Sequence, residues 1–299
     1  MPRELTVRNG DVALAGSLWL PDSRPVATVL MHPGSGPSDR DDHVHFPPIR
    51  AHLLERGCAV CSFDKRGVGG STGRWLEAGI VEQAQDLRAG FEALVGLTDL
   101  DAPIGLFGHS QGGWVVLEAQ RHLAPLAFVV TNSGPGVTPS EQERYSAFCR
   151  MHAAGLSAGE IEATLRYYEL MRQLMAEHAS FESARARLDQ LGVAIERDGV
   201  PMVYLANDAE EWEFESSIID HDPRPALSEI RVPLLAPFGA EDKLVPVEPS
   251  VAAFREMVRS DLLSVAVIAG GDHRIQTGDP LRLADGYLEA LSSFIAGTL

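Results

Sequence analysis

Gly108-His109-Ser110-Gln111-Gly112 is the stretch on which the reading of this chain turns. The apolar run Ala102-Pro103-Ile104-Gly105-Leu106-Phe107 leads into it and predicts a buried strand. Behind it, Gly113-Trp114-Val115-Val116-Leu117-Glu118-Ala119-Gln120 predicts the first turns of a helix. Gly-x-Ser-x-Gly between strand and helix is a tight turn that holds a serine hydroxyl above the edge of a sheet. Gly108 and Gly112 give that turn room because neither carries a Cβ. A plain helix N-cap serine is the competing role for Ser110, and it leaves the two flanking glycines without a purpose. A nucleophile at this turn needs a base, an acid and an oxyanion hole from the rest of the chain.

Two later segments supply the first pair. Val232-Pro233-Leu234-Leu235-Ala236-Pro237-Phe238 predicts a strand, followed by Gly239-Ala240-Glu241-Asp242-Lys243-Leu244-Val245-Pro246. Leu262-Leu263-Ser264-Val265-Ala266-Val267-Ile268 predicts another, followed by Gly270-Gly271-Asp272-His273. Both polar groups then sit just beyond the C-terminal ends of strands, where open α/β sheets place their ligand sites. The order Gly-x-Ser-x-Gly, Gly-x-x-Asp-x-x-Val-Pro, Gly-x-x-His resembles the α/β-hydrolase family over nearly the whole chain, and the loop His32-Pro33-Gly34-Ser35-Gly36-Pro37-Ser38-Asp39-Arg40-Asp41 with the Ser110 turn looks most like bacterial esterases of the dienelactone hydrolase and prolyl oligopeptidase-like branch.

The resemblance implies a mostly parallel central sheet flanked by helices, and a Ser110–His273–Asp242 triad in that family's chain order. Serine is a poor nucleophile at neutral pH, so His273 would take its proton and later pass it to the leaving group. Asp242 would fix the imidazole tautomer and stabilise the imidazolium. Glu241 is the rival acid; Asp242 has the place that matches the pattern between Gly239 and Val245-Pro246. Asp272 reads as a loop-orienting residue, and His109 and His221 are substitute bases. One oxyanion donor would be the backbone N–H of Gln111; the other would come from His32-Pro33-Gly34-Ser35-Gly36-Pro37, with Ser35 at the donor position and Gly34 as a one-residue alternative. Asp39, Asp41, Asp42, His43 and His45 follow in the same loop. Their spacing aims them at no common point, so they read as solvated residues, with Arg40 pairing a local aspartate and no metal site.

The chain has 299 residues with 45% hydrophobic and 22% charged side chains, enough for one large α/β domain or a core with an accessory unit. A net charge of −17 argues against nucleic acid or anionic membrane as partners. The opening residues lack the apolar core of a secretory leader, no run reaches the length of a membrane span, and three cysteines cannot complete a disulfide framework, so a cytoplasmic enzyme is expected. Cys58-Ala59-Val60-Cys61 reads as part of a buried strand, because residues three apart on a strand face opposite ways.

Along the chain, Leu5 to Arg8 and Val12 to Leu20 predict a hairpin, and strands then alternate with helices. Pro47 and Pro48 open a helix that Gly57 stops; Ile80, Ala84, Leu87, Phe91 and Leu94 mark one face of the next. Asp64-Lys65-Arg66-Gly67-Val68-Gly69-Gly70-Ser71 resembles the family's D-x-R-G-x-G-x-S turn and reads as structural. The alternation breaks at 139–225, where Ser157-x-x-Glu160 is a capping box ahead of Ile161, Leu165, Tyr168, Met171 and Met175. This predicts a helical cap inserted after the sixth strand, with a core domain of 1–138 and 226–299. The cap's aromatic and methionine stripe is first of all packing; Tyr145, Tyr168, Met171 and Trp212 are the candidates for lining a substrate pocket. The expected activity is hydrolysis of a small or medium carboxylic ester through an acyl-enzyme, with no cofactor and a homodimer left open. Thioesterase, serine peptidase or amidase activity, or ligand reception without turnover, are the alternatives.

Overall fold

In a computed structural model that describes residues 2–98 and 100–299, the chain begins with a hairpin, β1 (Arg3–Asn9) and β2 (Val12–Trp19). Next come β3 (Ala27–His32), α1 (Phe46–Glu55), β4 (Cys58–Phe63), α2 (Ile80–Val95), β5 (Ile104–His109), α3 (Gln111–Gln120) and β6 (Val129–Asn132). Four helices follow, α4 (Pro139–Ala153), α5 (Ala158–Ala176), α6 (Phe181–Asp189) and α7 (Ala209–Ile218). Between α6 and α7 lies a ribbon of two-residue strands, β7 (Glu196–Arg197) and β8 (Val200–Pro201). The chain closes with α8 (Arg224–Ser228), β9 (Leu234–Gly239), α9 (Val247–Met257), β10 (Leu263–Ile268) and α10 (Tyr287–Thr298), with a short two-stranded ribbon ahead of α10.

Eight strands form one sheet in the order β1-β2-β4-β3-β5-β6-β9-β10. The hairpin and its junction with β4 are antiparallel, and every later pairing is parallel. β3, β4, β5 and β9 are buried along their whole length, which is why they read as unbroken apolar runs; the edge strands β1 and β10 are partly exposed. On one face, Phe46, Ile49 and Leu53 of α1 join Tyr287, Leu291 and Ile295 of α10 over Met31, Val60, Phe107, Val130 and Leu235. The predicted apolar face of α2 is buried as expected, and Cys58 and Cys61 lie buried in β4 as packing residues. Burial pushes the Cys58 thiol up to about 11 and the Cys61 thiol further still, so neither is a reactive thiolate.

Strand order is what positions the site. From β3 the chain steps to β4 on one side, then crosses back to β5 on the other. The two loops leaving β3 and β5 therefore diverge at a topological switch point, where His32 pairs with Gly108 in register. At the turn after β5 the backbones are nearly in contact: a Cβ on Gly108 would lie 2.0 Å from the Gly112 carbonyl oxygen, and one on Gly112 would lie 2.6 Å from that of His32. Gly108→Ala should therefore distort the turn, lowering stability by about 1–3 kcal/mol in a urea melt and lowering activity with it. An unchanged melt would mean that the turn has slack.

The chain divides into two compact units. The first is Met1–Gly136, Pro223–Asp242 and Val247–Leu299, which holds the sheet; the second is Val137–Asp222 with Lys243–Pro246. Lys243–Pro246, placed with the core domain on sequence, thus belongs to the helical unit, where Gln142 Nε2 donates to the Leu244 carbonyl at 2.8 Å. Capping boxes start α4 at Thr138 and Glu141 and α5 at Ser157 and Glu160, the second as its spacing predicts. Among the described residues, no helix is long and apolar enough to cross a membrane.

Candidate active site

Ser110 stands between β5 and α3 with φ 52° and ψ −119°, a conformation outside the regions open to most L-residues. Such strain costs on the order of 1–3 kcal/mol and persists only where the surroundings enforce it. Here the Ser110 N–H donates to the Asn132 carbonyl at 2.9 Å, and the Ser110 carbonyl accepts from Gly113 at 2.8 Å. The residue is half-buried, and α3 begins at Gln111 immediately behind it, so backbone N–H groups that have no partner within the helix open toward this turn.

The two later motifs meet. β9 and β10 are paired with Ile268 opposite Gly239, so the loops that leave them lie side by side. Asp242 Oδ2 and His273 Nδ1 are 2.8 Å apart; the Asp242 side chain is fully buried and that of His273 is 15% exposed. Glu241 is exposed by contrast, held by its backbone N–H on the Gly271 carbonyl at 2.8 Å. Asp272 orients the loop, as its sequence position suggests: Oδ1 accepts the N–H groups of Arg274 at 2.9 Å and Gln276 at 2.8 Å. The His273 ring lies 5.2 Å from that of His109, the residue just before Ser110.

The loop after β3 corrects the sequence reading. Asp42 and His45, taken as solvated, are 2% and 0% exposed. Asp42 Oδ2 lies 2.6 Å from His109 Nδ1, and Oδ1 accepts the Gly34 N–H at 3.3 Å. His45 packs against His109 with ring centroids 4.4 Å apart. Arg40 pairs with no aspartate of its own loop; it reaches across to Asp64 with bonds of 2.7 to 3.0 Å and to Glu4 at 2.8 Å. The attraction of loop charges for one another is weak in water, whereas a desolvated bidentate guanidinium–carboxylate pair fixes both partners. His109 forms the same kind of pair as His273 does with Asp242, but it is buried at 3% exposure, so it is the less accessible of the two to a substrate. The Gly34 N–H is occupied by Asp42, whereas Ser35 is exposed and follows Gly34 directly.

Burial penalises the charged imidazoles here: His32 is pushed down to about 3, and His45 and His109 lie below the usual histidine value. Burial is the largest single influence on Asp42 and works to raise it, but the His109 bond, the charges of His109 and His45 and the Gly34 N–H together outweigh it and hold the carboxyl below its ordinary range. Each histidine binds a proton more readily in the unfolded chain, so stability rises with pH between the folded value and the unfolded 6.5, and is lost as pH falls below about 6.5. The Asp42 contribution runs in the same direction but is lost only at lower pH, as the carboxyl protonates. Urea unfolding at pH 7 and at pH 5.5 checks this: the expected loss approaches about 1.4 kcal/mol per pH unit for each such histidine. Equal midpoints would mean that these imidazoles are charged in the folded protein.

Of the four candidate pocket residues, three are placed in the interior of the helical unit. Tyr168, Met171 and Trp212 belong to its apolar cluster, with Tyr168 Oη donating to the Ser140 carbonyl at 2.7 Å and Trp212 Nε1 to that of Ala179 at 2.8 Å. These side chains hold the unit together, the packing role that their spacing also indicates. Tyr145 on α4 is half-buried.

Comparison with known proteins agrees with this architecture. Residues 29–285 match the model of the alpha/beta hydrolase family. The Pyrococcus furiosus esterase Pf2001 superposes with a TM-score of 0.64 at 18% identity, over 100% of this chain and 90% of that one. A proline iminopeptidase from Mycobacterium smegmatis gives 0.65 at 17%, over 99% and 98%. Est1E from Butyrivibrio proteoclasticus, solved with ferulic acid bound, gives 0.61 at 17%, over 98% and 96%. At such identities these likenesses concern the fold, while the family match spans most of the sequence. With the eight-stranded, mostly parallel sheet and the strained serine turn after its fifth strand, the chain belongs to the alpha/beta hydrolase family.

Proposed function

We propose that this protein is a serine hydrolase that cleaves a small or medium carboxylic ester through an acyl-enzyme, with Ser110 as nucleophile, His273 as base and Asp242 as the acid behind it. The observation that carries this reading is the 2.8 Å contact between buried Asp242 and His273, at the same sheet edge as a serine held at φ 52°. A carboxylate on Nδ1 leaves Nε2 free of its proton, which is the state a general base needs. His273 is the partly exposed member of the pair, as a group that hands protons to a substrate must be.

In the acylation step the Ser110 oxygen attacks the ester carbonyl while His273 takes its proton. The tetrahedral oxyanion collapses, the alcohol leaves with that proton, and water repeats the sequence on the acyl-enzyme. The N–H groups of Gln111 and Ser35 would receive the oxyanion; fixed donors of this kind contribute about 3–4 kcal/mol each. Gln111 opens a helix, and Ser35 is the loop residue next to a Gly34 whose own N–H is spent on Asp42.

p-Nitrophenyl esters of increasing acyl length, offered to the wild type and to Ser110→Ala, test the reading. Turnover that vanishes in the variant supports it, and the preferred length sizes the acyl pocket. Absent ester turnover alongside thioester or amide turnover would reassign the bond cleaved. Retention of ligand with no turnover of any acyl bond would overturn the catalytic reading.

A further inference from the structure

The sequence holds two lysines among its 25 basic lysine and arginine side chains, and one of them, Lys65, is 7% exposed. A buried ammonium is costly unless its donors are satisfied. Lys65 stands just past β4, next to β3 in the sheet, and its Nζ donates to the Gly34 carbonyl. It also donates to Gln111 Oε1 at 3.1 Å. The Gln111 amide is held from a second side, since Gln83 Nε2 donates to the same oxygen at 3.4 Å and to the Ala78 carbonyl at 2.9 Å. Asp64 is engaged by Arg40, Asp86 by Arg66 and Asp42, whose charge acts on Lys65, by His109, so this ammonium is not one half of a simple ion pair.

Its two acceptors are informative. The carbonyl of Gly34 and the N–H of Ser35 belong to one planar trans peptide and point in opposite directions. Gln111 contributes the other N–H of the proposed oxyanion hole. We infer that Lys65 is a positioning residue for acyl transfer: its ammonium grips the Gly34–Ser35 peptide and the Gln111 side chain together, and so fixes the two backbone N–H groups that receive the oxyanion. The inference rests on the serine hydrolase reading above and names what regulates the geometry of that site.

Three physical points support it. A peptide can flip by rotation about its flanking bonds, and a charge-assisted bond to the carbonyl opposes that flip. A cation on the carbonyl polarises the whole peptide, which makes the N–H at its other end a stronger donor. Finally, the two acceptors that Lys65 Nζ meets are both protein groups, the Gly34 carbonyl and Gln111 Oε1. Lys65 thus acts on the protein's own peptide and amide groups.

The charged and titratable groups around Lys65 are Asp42 from the loop before α1, His32 at the end of β3, Asp64 with its partner Arg40, and the Arg66–Asp86 pair. Burial draws the ammonium down to about 7, with Asp42 opposing. A neutral amine keeps two N–H donors but loses the charge. The wild-type kcat should therefore step down to a lower plateau as pH rises through the neutral range.

Lys65→Met is the test, assayed with p-nitrophenyl ester from pH 6 to 9 and compared with Ser110→Ala. The expected result is a loss in kcat of about 10–100-fold, KM changed far less, and no neutral step in the pH profile. Gln111→Met serves as the second variant, and decides the matter should Lys65→Met fail to fold. It retains its backbone N–H, so a fall in kcat at constant KM supports the clamp and an unchanged kcat overturns it. Full kcat with the wild-type pH profile in folded Lys65→Met also overturns it, while Ser110-dependent turnover in the wild type leaves the hydrolase reading standing. A wild type whose turnover does not depend on Ser110 removes both.

Discussion

Ser110→Ala is expected to fold as the wild type does and to lose ester turnover by about 10⁶-fold, because nucleophile, base and acid act as one unit. Folding should survive for a local reason. The turn is enforced by the Asn132 carbonyl on the Ser110 N–H and by the close packing of Gly108 against Gly112. None of these contacts involves the hydroxyl, and alanine meets the same backbone restriction at φ 52° as serine does. A matched urea melt together with steady-state kinetics makes the result clean. Retained turnover in a folded variant would end the serine mechanism, whereas loss of both fold and turnover would say nothing about chemistry and would call for Ser110→Cys.

The second large effect falls on the acid. Asp242→Asn should cost on the order of 10⁴-fold in kcat, because an amide donating to His273 Nδ1 drives the imidazole proton onto Nε2, where it can no longer accept from the serine. The geometry makes this substitution almost volume-neutral: Oδ2 lies 2.8 Å from the imidazole in a fully buried side chain. Glu241→Gln, one residue earlier and exposed, should stay near wild type. The comparison of the two kcat values separates the neighbouring carboxyl groups, and the opposite ranking would move the acid to Glu241.

Much of this was readable in the sequence because it is local. The strand before Ser110 and the helix after it follow from an apolar run and a periodicity, and Ile104–His109 and Gln111–Gln120 match them within two residues. The box at Ser157 and Glu160 is a four-residue signal, and α5 starts there. Asp242 and His273 were placed by their position just past two strands, and parallel pairing of β9 with β10 brings them together.

The errors share a cause. Asp42 and His45 were read as solvated because polar residues in a Gly/Pro-rich loop usually are, and nothing within ten residues indicates otherwise. Their environment comes from His109, 67 residues from Asp42, and from Asn132, whose Nδ2 is 3.4 Å from His45 Nε2. Arg40 was given a neighbour in its own loop, yet Asp64, 24 residues on, meets it with both carboxylate oxygens. In the helical unit, spacing identified a buried stripe correctly, but only packing shows that Tyr168 and Trp212 spend their polar atoms on the Ser140 and Ala179 carbonyls.

The sequence by itself therefore determined the elements, the family and the three residues proposed for catalysis, because each is announced by a short motif next to an apolar strand. The tertiary structure alone decided which polar groups share the interior behind that motif. Lys65 reaches Gly34 across 31 residues and Gln111 across 46, and does so because β3 lies between β4 and β5 in the sheet. A buried hydrogen bond is selected by the order in which strands pack, and no periodicity along the chain records that order.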